Sequence, residues 1–304
     1  MPIYPPNEQQ QTQSCEDTIM DNHNITEDAL SRLNNCDDPR LKEIMTSVIS
    51  HLHAVVKEVE PTDEEWRQAI DFLTQVGHWC DDFRQEFILL SDTLGVTMLV
   101  DAVTNRKPVG TTESTVLGPF HVHGAPHLPF GSNISKGQTG EPTLVMGRVL
   151  SQNELPIAGA TVDVWQASAQ GLYDVQESER FPDMNLRAVF HTDKNGRFGF
   201  CTEKPASYPV PTDGPVGTML KALGRHAWRP AHLHFMISAE QHMSLTTHLF
   251  VKGDPYLKSD AVQAVKDSLI VDFSLSHNNS EANQFGLPTP YYKVQEDFVL
   301  ATAN

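Results

Sequence analysis

From residue 38 to about residue 104 the apolar residues return every three or four positions, the period of a helix with one buried face. Asp38 followed by Pro39 reads as an N-cap with a proline at the first helical position, and Leu41, Ile44, Met45, Val48, Leu52, Val55 and Val59 then share one face of a long helix. Thr62 and Glu65 have the spacing of a capping box, and Trp66, Ile70, Leu73, Val76 and Cys80 make the stripe of a second helix. A third is predicted over about 87–103, and a shorter one over about 27–33 precedes them all. Beyond Lys107 and Pro108 the period drops to two. Runs at 143–149, 160–165, 188–192, 197–200 and 232–237 alternate like strands, with a tight turn at 193–196. One helical pattern, 259–270, interrupts them, and 291–300 reads as a closing strand. The expected fold is therefore mainly β in three parts: a disordered tail (1–24), a helical domain (25–106) and a β-sandwich domain (107–304).

The helical stripes are wide, and the one over 41–59 offers more apolar surface than a small sandwich can cover. Such stripes pack a core or join subunits, so a homodimer through these helices is the expected assembly. Composition narrows the partners. The 304 residues carry 39 acids against 22 bases, a net charge of −17, which is the wrong sign for nucleic acid or anionic lipid. Cys15, Cys36, Cys80 and Cys201 lie far apart with no Cys-x-x-Cys, so neither a disulfide framework nor a thiolate zinc site is expected. The first fourteen residues lack the basic start and apolar run of a signal peptide, and the longest apolar stretch, 94–100, is too short to span a membrane. These features predict a cytoplasmic protein with no membrane span.

Among 14 histidines, His232 and His234 stand out, because positions i and i+2 of a strand project from one face and let two imidazoles reach one metal. Two of the six tyrosines, Tyr173 and Tyr208, sit in loop-like settings of the β region. Each alone reads first as a tyrosine that packs its ring and bonds its hydroxyl. Together with the two histidines they form a hard oxygen and nitrogen donor set with two potential negative charges, suited to a trivalent cation such as Fe(III).

These residues stand in segments that resemble the intradiol ring-cleavage dioxygenases: GLYD (171–174), FHTD (190–193) with GRF (196–198), YPVP (208–211) and RPAHLHF (229–235). Three more, EFILLSDTLG (86–95), TESTVLGPF (112–120) and THLFVKGDPYLKSDA (247–261), are most similar to members that cleave hydroxyquinol. The resemblance implies a non-haem Fe(III), one per subunit, held by Tyr173, Tyr208, His232 and His234 with a solvent hydroxide. It implies a β-sandwich catalytic domain and a helical dimerisation domain that often encloses a phospholipid in an apolar tunnel. The implied reaction is cleavage of hydroxyquinol, benzene-1,2,4-triol, by O2 to 3-hydroxy-cis,cis-muconate (maleylacetate) in aromatic catabolism. Tyr208 would be the ligand that leaves, and Arg229 and His248 would serve the chemistry. At His248 catechol-cleaving relatives usually carry glutamine, so the histidine favours the triol. The implied substrate wall is Leu89, Asp92, Val116, Leu117, Gly118, Pro119, Phe120, Val210, Pro211, Arg229 and Val262, with Asp92 placed to accept a hydrogen bond from the third hydroxyl. Two alternatives remain: catechol or a chlorocatechol as the ring, and a non-catalytic transthyretin-like binding sandwich, which the 147–149 and 156–160 segments also suit.

Overall fold

The structure, a computed structural model, describes residues 24–81, 84–137, 140–176 and 181–303. The expected tail, apart from Asn24, and Cys15 lie outside the described residues. The chain forms two compact units, 1–71 and 72–304.

In the first unit α1 (Ile25–Ser31) precedes α2 (Pro39–Val59), and α3 (Asp63–His78) begins there and runs into the second unit. The Asp38 side chain accepts from the amides of Arg40 and Leu41 at 2.9 and 3.1 Å, which satisfies two of the open donors of α2. Thr62 and Glu65 exchange both bonds of the capping box, Thr62 N to Glu65 Oε2 at 2.8 Å and Glu65 N to Thr62 Oγ1 at 3.3 Å. No residue of α2 is buried, and its apolar stripe from Leu41 to Val59 is exposed.

The second unit corrects the expected helix over 87–103. It is two helices, α4 (Glu86–Thr93) and α5 (Val96–Thr104), bent by 78° at the junction. Gly95, at φ +75°, takes the left-handed conformation that ends α4 and caps α5. No single helix among the described residues is long and apolar enough to cross a membrane; only this bent pair meets the length and composition together.

Two mixed five-stranded sheets follow. In the first, β1 (Pro142–Ser151) pairs antiparallel with β4 (Arg197–Glu203) and parallel with β11 (Tyr291–Gln295) and β12 (Phe298–Leu300), and β10 (Ser274–Ser276) borders β11. The expected closing strand 291–300 is thus broken into two short ones. The second sheet has the order β3 (Arg187–His191), β2 (Thr161–Gln166), β7 (His232–Ser238), β8 (Leu245–Val251), β9 (Ile270–Val271). Residues of both sheets meet in one core, with Val145, Val149, Phe198, Phe200 and Phe298 from the first against Val162, Phe190, Leu233, Phe235 and Leu249 from the second.

The helical pattern at 259–270 does not form an α-helix; only a short 3-10 turn, Asp267–Leu269, lies there. The Asp260 carboxylate accepts from the amides of Val262 and Ala264, which offers the backbone a turn in place of a helix. Two helices that the pattern does not announce, α6 (Pro215–Ala222) and α7 (Asn279–Phe285), do form, as does the two-residue ladder β5 (Tyr208–Pro209) with β6 (Trp228–Arg229).

Candidate metal and substrate site

On β7, Leu233, Phe235 and Ile237 enter the core shared by the two sheets, so His232 and His234 emerge on the opposite face. Sheet register places Trp165 of β2 and His248 of β8 on either side of His234. The Trp165 ring stacks on His234 at 4.7 Å and 14°, and the His248 ring centroid lies 4.1 Å from it. His232 Nδ1 donates to Pro230 O at 2.6 Å, which leaves its Nε2 with a lone pair. That Nε2 lies 3.1 Å from His234 Nε2, which in turn lies 3.1 Å from the Tyr173 hydroxyl.

Tyr173 comes from the loop after β2. Gly171, at φ +76°, turns the chain against Tyr208; a Cβ there would sit 3.0 Å from Ser207 O and 3.1 Å from Tyr208 Cβ. Next to Tyr173, Asp174 takes a buried ion pair from Arg187 at 2.6 Å, and Arg187 Nη1 donates to Phe120 O at 2.6 Å. Phe120 stacks on Tyr173 with centroids 4.4 Å apart. Tyr208 starts β5, opposite Arg229 of β6, and the two hydroxyls of Tyr173 and Tyr208 are 3.5 Å apart. Arg229 Nη1 donates to the Tyr208 hydroxyl at 3.2 Å, and its Nε lies 3.3 Å from Asp260 Oδ1.

The donor set fits a metal ion. The successive separations His232 Nε2 to His234 Nε2, His234 Nε2 to Tyr173 OH and Tyr173 OH to Tyr208 OH, 3.1, 3.1 and 3.5 Å, suit ligands each about 2 Å from one centre. Burial and then the charge of Arg229 hold His232 well below the ordinary histidine value, and burial with the neighbouring imidazoles and Arg229 does the same for His234 and His248, a direction that favours the neutral, lone-pair-bearing form. Burial, reinforced by Tyr208, holds the Tyr173 phenol well above the ordinary tyrosine value, a direction that a bound cation would reverse. His248 joins His232 and His234 in a buried cluster, with one nitrogen from each of the three histidines within 4.8 Å of the others. Its Nδ1 is hydrogen-bonded to Thr115 Oγ1, and its buried Nε2 has no partner.

Beside these donors opens a cleft bordered by Leu89, Asp92, Val116, Gly118, Pro119, Phe120, Tyr208, Val210, Pro211, Arg229 and Val262. Leu117 does not border it and is 43% exposed. Three polar atoms of the cleft residues are buried without a hydrogen-bond partner, Asp92 Oδ1, Arg229 Nη2 and Arg84 Nη2, the last of them 2.9 Å from Glu86 Oε2 in an ion pair. Burial raises the Asp92 carboxyl above its ordinary value, a shift that its Thr97 hydrogen bond and the charge of Arg229 only partly offset.

Sequence reasoning missed the cleft's other rim, Arg84, Gln85, Glu86 and Ile88. There Arg84 bonds both oxygens of Asp213 at 2.9 and 3.0 Å and Glu86 Oε2 at 3.0 Å, while Glu86, fully buried, accepts from Val216 N at 3.1 Å. It also missed Asp260, Trp165 and the Arg187–Asp174 pair. Asp260 and Asp174 stand within matched segments, but no local pattern gives their partners.

The family described as catechol dioxygenase N terminus matches residues 38–112, and the dioxygenase family matches 116–301. The chain is 54% identical over 276 residues to hydroxyquinol 1,2-dioxygenase of Rhizobium sp. (strain MTP-10005), covering 90% of this chain and 94% of that one. It is 49% identical over 280 residues to 6-chlorohydroxyquinol 1,2-dioxygenase of Cupriavidus pinatubonensis, covering 92% and 97%. Among solved structures, hydroxyquinol 1,2-dioxygenase from Pseudomonas putida DLL-E4 superposes with a TM-score of 0.86 at 47% identity, covering 91% of this chain and 97% of that one.

Proposed function

Since the chain belongs to the intradiol ring-cleavage dioxygenases, we propose that it opens hydroxyquinol with O2 between the two adjacent hydroxyl-bearing carbons, giving 3-hydroxy-cis,cis-muconate. The family uses non-haem iron. In this reading one Fe(III) per subunit is held by Tyr173, Tyr208, His232 and His234 and, when bound, supplies a Lewis acid and template for the chelating diol. The chain's own residues bind, orient and move protons around it. A catechol-type ring must shed two protons to chelate; the Tyr208 oxygen would accept one of them and a solvent hydroxide the other. Arg229, 3.2 Å from the Tyr208 oxygen, would hold that phenol and face charge that develops on the ring. His248, fixed by Thr115, borders the ligand pair from the β8 side. The mostly apolar wall of Leu89, Val116, Pro119, Phe120, Val210, Pro211 and Val262 receives a flat ring and excludes water. Leu117 and Gly118 complete the segment that carries this wall.

The observation that carries the triol reading is the unpartnered Asp92 Oδ1, a buried acceptor at the cleft. The third hydroxyl of hydroxyquinol satisfies it; catechol leaves it unpaired, at about 1–3 kcal/mol, or roughly 5- to 150-fold in specificity. Wild-type kcat/KM should therefore favour the triol over catechol, and Asp92→Ala should shrink that ratio without loss of iron. Equal efficiency on both rings rejects the substrate, and an equal loss on both rings in the variant rejects the role of Asp92.

The same reading extends to the assembly. The two sheets form the catalytic sandwich over about 107–304, and the helices of 25–106 form a dimerisation domain whose exposed α2 stripe meets a second copy, with a phospholipid enclosed among the helices. Light scattering giving a mass near that of one 33.9 kDa chain at micromolar concentration would contradict the dimer. Residence in the cytoplasm fits the free thiols of Cys36, Cys80 and Cys201.

A further inference from the structure

Asp260 lies outside the cleft lining, in the turn region that follows β8, yet it is 6% exposed and its carboxylate is fully engaged. Oδ2 accepts from Ala264 N at 3.0 Å, and Oδ1 accepts from Val262 N at 3.3 Å and from Arg229 Nε at 3.3 Å. The two backbone amides prevent the carboxylate from swinging, so it is a fixed point against which the guanidinium rests. Arg229 is equally confined, at 3% exposure. Its plane is pinned at Nε by Asp260 and at Nη1 by the Tyr208 hydroxyl, which leaves Nη2 as the one nitrogen buried without a partner. A guanidinium is rigid and planar, so fixing two of its nitrogens fixes where the third points. Without Asp260 the guanidinium keeps one hydrogen bond, to the Tyr208 hydroxyl, and its Nε loses its anchor.

We infer that Asp260 is a positioning residue for ring cleavage: it acts through Arg229, a cleft residue whose guanidinium orientation it fixes. This rests on the reading above that Arg229 faces the reacting ring. Asp260 also ties the backbone of Val262, a cleft residue, so a purely structural role must be separated from a role through Arg229. A double-mutant cycle on the iron-loaded chain does so, with iron content, thermal melting, kcat and KM measured for Asp260→Asn, Arg229→Gln and the pair.

Arg229→Gln should lower kcat about 10²- to 10³-fold, as removal of a charge-stabilising donor does. Asp260→Asn should lower kcat about 10- to 100-fold, with KM within about threefold and iron retained, because a misaimed donor affects the transition state more than the bound ring. In the Arg229→Gln background Asp260→Asn should cost little more. Asp260→Glu keeps the buried charge but moves the carboxylate by one methylene, so it should lower kcat even if the asparagine variant folds poorly. If Arg229→Gln leaves kcat unchanged, the reading of Arg229 fails and the inference with it. If Arg229→Gln is impaired but both Asp260 variants turn over normally, the inference alone fails. An equal loss from Asp260→Asn in both backgrounds also overturns it, since Asp260 would then act through the Val262 turn.

Discussion

The two halves of the donor set stand on very different supports. His232 and His234 lie on β7, which is paired in register with β2 on one side and β8 on the other. Tyr208 lies on a two-residue strand paired, among the described residues, with one other two-residue strand, and Pro209 and Pro211 beside it have no amide to donate. Tyr173 is intermediate: it sits on a loop, but the buried Arg187–Asp174 pair and the Phe120 ring clamp its base. The histidines therefore stand on a strand bonded on both sides, and Tyr208 on a far shorter ladder. This matches the division of labour in the proposed reaction, in which three side chains stay and one changes partner.

The largest effect should come from the rigid half. His232→Ala or His234→Ala should abolish iron binding and turnover together while the sheet persists, read as loss of the visible tyrosinate-to-iron band with an unchanged far-ultraviolet spectrum. Normal iron and turnover in both variants would break the comparison. Next, Asp174→Ala strands Arg187 as a buried unpaired cation, which should destabilise the chain by about 3–5 kcal/mol, and Asp174→Ala with Arg187→Met should recover much of it. Denaturant midpoints check this, and a loss below about 1 kcal/mol would show that the loop of Tyr173 is not clamped. Gly171→Ala should cost about 1–3 kcal/mol, because alanine at φ +76° is strained and its methyl meets Ser207 O.

The smallest effect concerns Asp92, which belongs to neither half. Its folded-state pKa is raised chiefly by burial, so between the unfolded and folded values the native state holds a proton that the unfolded chain has released. Stability from this group is thus lost as pH rises through that window. Asp92→Asn should melt higher than the wild type at neutral pH, with the gap closing in acid below the unfolded carboxylate value. A gap that is constant with pH would assign the effect to packing.

Much of this was legible in the residue pattern where function and periodicity coincide. A strand that buries Leu233, Phe235 and Ile237 must turn His232 and His234 to the other face, so their shared face was readable from alternation, while their proposed role as ligands came from their company with Tyr173 and Tyr208 and from the family resemblance. Asp38 and the Thr62–Glu65 box fixed two helix starts for the same reason, because capping is local. The bend at Gly95 was not readable, since apolar spacing continues smoothly across it and only the backbone sign of one residue breaks the helix. Residues 259–270 misled because Asp260 spends its side chain on nearby amides, overriding a helical stripe. The cleft rim was invisible for a different reason: Arg84 and Asp213 are 129 positions apart, and an ion pair of that span leaves no local trace.

The row Trp165, His234, His248 runs straight across three adjacent strands, and this shapes how the gene for such a chain can change. Inserting or deleting one codon inside β2, β7 or β8 shifts the pairing by one residue and sends a row member into the apolar core. The same change in the link between β7 and β8, which carries none of the proposed site residues, leaves the row intact. Length variation among descendants is accordingly channelled into such links, while the three strands can diverge only by substitution at constant length.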